Sequence, residues 1–304
     1  MTTPQDGIAA GRTVWLFPGQ GSQRVGMAVS LADEPVAQAI LQEADDALGF
    51  SLSGLIADGP ATDLEQTANQ QPAILAVSIA WHAVLRDRGL LPEADFVAGH
   101  SLGEYSALVA GGALGLADAV RLVRRRGQLM QQHGAGGMAA VLGLDLSKVE
   151  ELASTEGVEV ANINAPGQVV VSGADDAIDR VVAAAKGHGA KRAIRLPVSG
   201  AFHSSMMAPV VDELGPEIDG VTMNDLAVPL ISNVDASPIA AADKLRRELR
   251  DQICAPVRWV DVIGRLATEG VTTGFEVGPG KVLAGLVGRI CPGITVTAAE
   301  SLVG

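Results

Sequence analysis

"VAGHSLGEYSALVAGG", residues 97–112, runs from an apolar stretch through a tight turn into a small-residue helix without any linker. Its first part, with "DFVAG" at 95–99, has the pattern of a buried parallel strand, and "GEYSALVAGGAL" (103–114) that of a buried helix. Between them Gly99-His100-Ser101-Leu102-Gly103 fits G-x-S-x-G. The physical content of that pattern is a sharp strand-to-helix turn that holds the serine hydroxyl above the sheet edge, with glycines where backbone comes close. Ser101 reads either as the nucleophile of such a turn or as a plain helix N-cap. As a nucleophile it would set the Leu102 N–H at the helix start, facing a developing oxyanion.

Outward from this turn, strands alternate with helices. "TVWLF" (13–17) is a buried strand ended by the loop "PGQGSQ", and helical stretches follow around 27–48 and 71–88. This alternation predicts a layered α/β domain with a mainly parallel sheet. The rhythm changes after "HGAGG" (133–137). From there the order is strand 138–144, helix 147–155, strand 158–164, strand 168–173, helix 174–189 and strand 191–198, a βαββαβ ferredoxin-like unit. Ser147 and Glu150 have capping-box spacing at the start of its first helix. The α/β pattern resumes with strand "VPLISNV" (228–234) and helices at 241–253 and 256–268. We therefore expect a large α/β-hydrolase-like domain, discontinuous over 1–136 and 199–304, and a small inserted domain over 137–198, with the site between them.

A chain of 304 residues, 48% of them hydrophobic, suits one large core or two unequal ones. The start "MTTPQDGIAAGRT" lacks both the basic start and the apolar stretch of a targeting signal, and "PAILAVSIAWHAVL" (72–85) is too short to span a bilayer. A cytoplasmic protein is expected. Cys254 and Cys291 lie far apart and in no metal-ligand spacing, which excludes a Cys-based zinc site. The net charge of −13 repels nucleic acids and anionic membranes. Basic residues still cluster at 121–126, 191–195 and 244–250. They read as solvated faces or, together, as a patch for an acidic partner.

A serine nucleophile needs a base, and the chain has five histidines. His82 falls in an apolar helix, His133 and His188 adjoin glycine turns, and His100 points away from the serine across a strained turn. His203, in "GAFHSSMM", is the best candidate because it lies where the chain re-enters the large domain. Hydrolases with this turn present an acid between serine and histidine in sequence. Here most of that interval belongs to the small domain and offers no loop carboxylate, so the base is expected to be oriented by a neutral group.

The helix "LADAVRLVRRRGQLMQQ" (116–132) adds a cation in an unusual place. On a wheel with Val123 at 0°, the apolar arc runs from about −120° to +60°, Arg121, Arg124 and Arg125 fall opposite it, and Arg126 sits near −60°, inside it. A buried guanidinium requires a carboxylate. That partner is a core acid, or Arg126 snorkels out, or the carboxylate arrives with the substrate and is gripped by two guanidinium nitrogens. "PGQGSQ" lacks both the Gly-Lys-Ser/Thr of a phosphate loop and the last glycine of a dinucleotide loop, so neither ATP nor NAD is supported.

Taken together, "FPGQGSQ", "QQPAI", "GHSLGEYSALV", "RLVRRRGQLMQ", "NAPGQVVVSG", "AFHSSMM", "PVRW" and "EVGPGKVL" resemble, in order and nearly end to end, the malonyl-CoA:acyl carrier protein transacylases and the related acyltransferase domains of polyketide synthases. The resemblance implies Ser101 as acyl carrier, His203 as general base and acid, and Arg126 as the grip on a malonyl carboxylate. It implies the N–H groups of Gln20 and Leu102 as oxyanion hole, and Gln252 as the residue whose main-chain carbonyl orients the histidine. Gln71 and Gln168 match positions near the substrate. Phe202, just before the histidine, matches malonyl-selective rather than methylmalonyl-selective members. The implied reaction is a ping-pong transfer of malonyl from malonyl-CoA to the phosphopantetheine thiol of an acidic, transiently bound acyl carrier protein, without metal or redox cofactor. Supply of fatty acid synthesis is expected, with a discrete acyltransferase serving a polyketide synthase as the alternative. A serine esterase or thioesterase fits less well, since a buried arginine has no use with a neutral acyl chain. A monomer is expected.

Overall fold

The computed structural model describes residues 11–303. The stretch read as lacking a targeting signal therefore lies mostly outside the described residues. The N-terminal part holds β1 (Arg12–Phe17), α1 (Pro35–Leu48), α2 (Leu52–Asp58), α3 (Ala61–Leu64), α4 (Thr67–Asp87), β2 (Phe96–Gly99), α5 (Gly103–Ala110) and α6 (Leu116–Gln132). The middle holds β3 (Gly137–Leu142), α7 (Leu146–Glu156), β4 (Glu159–Ala165), β5 (Gln168–Gly173), α8 (Asp175–Ala184) and β6 (Arg192–Arg195). The last part holds α9 (Ala208–Gly220), β7 (Leu230–Ile231), β8 (Pro238–Ile239), α10 (Ala242–Asp251), α11 (Trp259–Thr268), β9 (Val271–Glu276), α12 (Val282–Ile290) and β10 (Thr295–Ala298).

Two sheets result, as the alternation of patterns predicts. The first runs β10-β9-β1-β2-β7-β8 and is parallel except for β8, which is antiparallel to β7. β1 and β2 at its centre are buried on both faces, which is why they read as continuous apolar runs. One face is covered by α4, α5 and α6 around Trp81, Tyr105 and Leu122, the other by α11 and α12 around Trp259, Ile263 and Leu283. The second sheet, built from residues 137–195 alone, is antiparallel in the order β4-β5-β3-β6, the ferredoxin-like order. Its outer face carries α7 and α8 on a separate small core. The two sheets are joined where β4 bonds to the segment after α10: Ile163 N–H donates to Val257 O (2.9 Å) and Val257 N–H to Ala161 O (2.8 Å).

Three local readings are corrected. α7 begins at Leu146, with Asp145 in the extended N-cap position, so Ser147 stands in the first turn and forms no capping box. The stretch 228–234 pairs only at Leu230 and Ile231, because Ser232 and Asn233 turn their polar groups to buried carboxyls instead of to a neighbouring strand. The helix expected from 27 starts at Pro35, and the one expected from 71 starts at Thr67 and holds Pro72 inside it. Pro72 has no N–H for the carbonyl of Ala68. Arg124 Nη1 takes that carbonyl at 2.8 Å, which gives one residue of the basic run at 121–126 a structural task.

Candidate active site

The turn after β2 is tight for steric reasons. A Cβ on Gly99 would lie 1.9 Å from the Gly103 carbonyl carbon, and one on Gly103 would lie 2.1 Å from the Phe17 carbonyl oxygen. Only glycine lets strand and helix approach this closely. Ser101 itself takes a left-handed backbone, φ 52°. Such strain costs on the order of 1–3 kcal/mol and persists where neighbours over-determine it. Asn233 does so here: its Oδ1 accepts the Ser101 N–H and its Nδ2 donates to Gly99 O, both at 2.8 Å.

His203 is also left-handed, at φ 55°, in the loop that re-enters from β6. Its Nε2 lies 2.8 Å from Ser101 Oγ, and its Nδ1 lies 2.8 Å from Gln252 O and 3.1 Å from Ala255 O. Carbonyls only accept, so Nδ1 carries the proton and Nε2 is left bare to receive that of the serine. Burial, and then the charge of Arg126, push the His203 pKa down to about 3. The imidazole is a neutral base at ordinary pH. Two main-chain carbonyls stand where a triad acid would.

Arg126 is 1% exposed, on the inner face of α6. Nη1 donates to Gln71 Oε1 (2.8 Å), and Nη2 to Ser101 Oγ and Gln252 Oε1 (3.1 Å each). Its carbon lies 5.9 Å from the Tyr105 ring centre, a cation–π distance. Nε is buried without a partner among the described residues. Burial lowers its pKa against the opposing pull of Tyr105 and Glu104, but a guanidinium remains charged. No carboxylate touches this cation among the described residues, so of the partners expected for it none is a direct core acid.

Ser101, His203 and Arg126 open on one cavity of about 340 Å³, closed on the second-sheet side by Asn162, Asn164 and Val170. Gln20 and Phe202 line it as well. Leu102 is buried at the head of α5, and among the described residues no hydrogen bond takes up its N–H or that of Gln20. Gln71 is fully buried behind Arg126 and does not line the cavity. Gln168 accepts from Arg289 (2.5 Å) and faces a neighbouring cavity that shares Gln20, His100 and Asn164 with the first. Four arginines of the basic runs are paired with acids: Arg121 with Asp118, Arg125 with Glu213 and Glu217, Arg195 with Asp175 and Asp179, and Arg250 with Asp219.

Sequence reasoning passed over Asn233, Glu104 and Glu248. Glu104 Oε1 accepts the Asn233 N–H (2.9 Å), Oε2 accepts from Gln252 Nε2 (2.6 Å), and burial, with the charge of Glu248, raises its pKa. Nothing in one sequence pairs these residues; only Glu104, directly behind the motif, lay within sight of it.

No helix among the described residues is long and apolar enough to cross a membrane. Residues 14–290 match the family model described as "Acyl transferase domain". The malonyl CoA-acyl carrier protein transacylase of Bacillus subtilis (strain 168) is 46% identical over 288 residues, covering 92% of this chain and 90% of that protein. The crystal structure of an acyl-carrier-protein S-malonyltransferase from Burkholderia pseudomallei superposes with a TM-score of 0.93 at 42% identity, covering 96% of this chain and 99% of that one. A malonyl-transacylase solved in complex with its type II polyketide synthase acyl-carrier protein superposes with a TM-score of 0.91 at 39% identity, covering 96% and 98%. A serine and a neutral histidine in contact, beside a buried cation that no acid touches among the described residues, thus sit on a chain that belongs to the acyl transferase domain family, in its malonyl CoA-acyl carrier protein transacylase group.

Proposed function

We propose that the protein moves a malonyl group from malonyl-CoA to the phosphopantetheine thiol of an acyl carrier protein, through an ester on Ser101. The observation that carries this reading is the contact of Arg126 Nη2 with Ser101 Oγ, which sets a buried cation beside the nucleophile. An acyl chain ending in a carboxylate meets that cation; a neutral one leaves it unpaired. In the first half-reaction His203 Nε2 accepts the Ser101 proton while Oγ attacks the thioester carbonyl. The N–H groups of Gln20 and Leu102 receive the oxyanion. The C–S bond then breaks and His203 returns the proton to the CoA sulfur. The second half-reaction runs the same steps backwards with the carrier thiol. The carbonyls of Gln252 and Ala255 keep the imidazole in its Nδ1–H form throughout.

The carboxylate is held by the guanidinium at Nη2 and the unpartnered Nε, a two-point grip. Gln71 holds the guanidinium from behind rather than touching substrate. Phe202 narrows the cavity against a methyl branch. The working cleft lies between a discontinuous large unit, 1–136 and 199–304, and an inserted small unit, 137–198. All this rests on side chains and main-chain groups, with no metal or redox cofactor.

The carrier serves fatty acid synthesis in this reading. The structural match to a malonyl-transacylase held by a polyketide synthase carrier protein favours a second reading, in which that kind of carrier is loaded. Transfer from a panel of acyl-CoA donors to both kinds of carrier protein tests the two. Malonyl should lead the donors, and the faster carrier decides the pathway; equal rates for acetyl and malonyl would contradict the reading.

A further inference from the structure

Among the described residues Arg126 meets no carboxylate directly, yet a buried acid stands one residue behind it. Gln252 is the link: its Oε1 accepts from Arg126 Nη2 at 3.1 Å, and its Nε2 donates to Glu104 Oε2 at 2.6 Å and to Ser101 O at 3.3 Å. An amide has one acceptor end and one donor end, so what holds the donor end decides what the guanidinium sees. Glu104 is fully buried, and both its oxygens accept N–H groups, from the Asn233 backbone and from Gln252. Glu248 accepts from Ser232 Oγ (2.7 Å) and from the Val234 N–H (3.2 Å). Burial and the neighbouring Glu248 raise the Glu104 pKa well above the ordinary carboxylate range.

We propose that Glu104 is a positioning residue for acyl selection: by taking the Nε2 end of the Gln252 amide, it keeps the Oε1 end on Arg126 and so holds the guanidinium in its carboxylate-binding pose. The inference rests on the reading that Arg126 binds the malonyl carboxylate. In Glu104→Gln the new amide must still accept from the Asn233 N–H, which the backbone fixes, so its NH2 end faces Gln252. The Gln252 amide then turns over, and its NH2 end meets Nη2 of Arg126, a donor against a donor. The turned amide also gives up its long contact with Ser101 O (3.3 Å), which keeps the Glu104 N–H at 3.0 Å.

The test is single-turnover acylation of Ser101 by malonyl-CoA and by acetyl-CoA, with thermal melting of each protein. For Glu104→Gln the malonyl-to-acetyl rate ratio should fall about 10-fold or more, the scale of one hydrogen bond to a charged group. Glu104→Asp, which keeps two acceptor oxygens on a shorter stem, should recover part of that ratio. Malonyl and acetyl rates falling in equal proportion, or an unchanged ratio in Glu104→Gln, would overturn the proposal. If Glu104→Gln does not fold, the ratio is read in Glu104→Ala, which leaves the Gln252 amide without its acceptor: a wild-type ratio there overturns the proposal, and a lowered ratio supports it. A wild-type protein with no preference for malonyl would instead bring down the underlying reading of Arg126.

Discussion

Arg126 Nη2 donates to Ser101 Oγ across 3.1 Å, so the only arginine buried among the described residues touches the hydroxyl that is also 2.8 Å from His203 Nε2. Nucleophile, base and cation are thereby in one contact, and the cation lowers the basicity of the histidine it sits beside.

Removing that cation should separate the acyl donors. In Arg126→Ala, malonyl transfer should fall at least 100-fold, in line with the roughly 3–5 kcal/mol lost when a buried charge partner is removed. Acetyl transfer should fall far less, because an acetyl group has no carboxylate for the guanidinium to grip. Steady-state kcat/KM for both donors measures this, and equal losses would contradict it.

The histidine predicts an unusual pH profile. With the His203 pKa pushed down to about 3, acylation should hold its rate as pH falls through 6.5, where an ordinary imidazole protonates, and fail only towards 3. Stability follows by linkage. The unfolded chain protonates this histidine near 6.5 and the folded one near 3, so the unfolded state binds more protons between those values. The histidine therefore adds a stability that is complete above about pH 6.5 and is lost as pH falls to 3. His82, lowered to about 4, acts with the same sign, and Glu104, raised by burial, with the opposite one. Rates and melting points across this range check both statements.

Asn233 holds the strained serine turn from both sides. Asn233→Ala leaves the Ser101 N–H and the Gly99 carbonyl without these partners. It should cost about 1–3 kcal/mol per group in stability and slow acylation with either donor alike. Chemical denaturation together with acylation rates tests this, and a variant of unchanged stability and rate would contradict it.

Phe202 is 4% exposed and lines the cavity. Phe202→Ser should raise methylmalonyl transfer relative to malonyl by roughly 10- to 100-fold, the worth of about 1–3 kcal/mol for one methyl group. Competition between the two donors gives the ratio directly.

Docking of an acidic carrier should depend on the cations not already paired within the chain. Lys244 and Arg247 are exposed on α10, whereas Arg125 is held by Glu213 and Glu217. Reversing the charge of Lys244 and Arg247 should raise the KM for carrier protein and flatten its salt dependence, with malonyl-CoA acylation unchanged.

The two sheets were legible in the sequence because their signals are local. Period-2 and continuous apolar runs mark strands, and a change of rhythm at 133–137 marks the passage to the second sheet. Arg126 was legible for the same reason: the helical period alone puts it on the buried face of α6. Glu104 was not, because its partners Asn233 and Gln252 lie 129 and 148 residues away and only the fold brings them together. Gln168 shows the converse: matched by resemblance, it is drawn towards Arg289 and into the neighbouring cavity by a contact 121 residues away. The strand expected at 228–234 failed where its polar residues found carboxyls in place of a ladder.

The central claim is that Ser101 carries the acyl group between donor and carrier. The most direct measurement is to incubate the protein with labelled malonyl-CoA, without carrier, and map the label by peptide mass analysis. The account predicts one base-labile adduct on Ser101, absent from Ser101→Ala and discharged when carrier protein is added. A protein that transfers malonyl to carrier with no such adduct, or with the label on another residue, would contradict it.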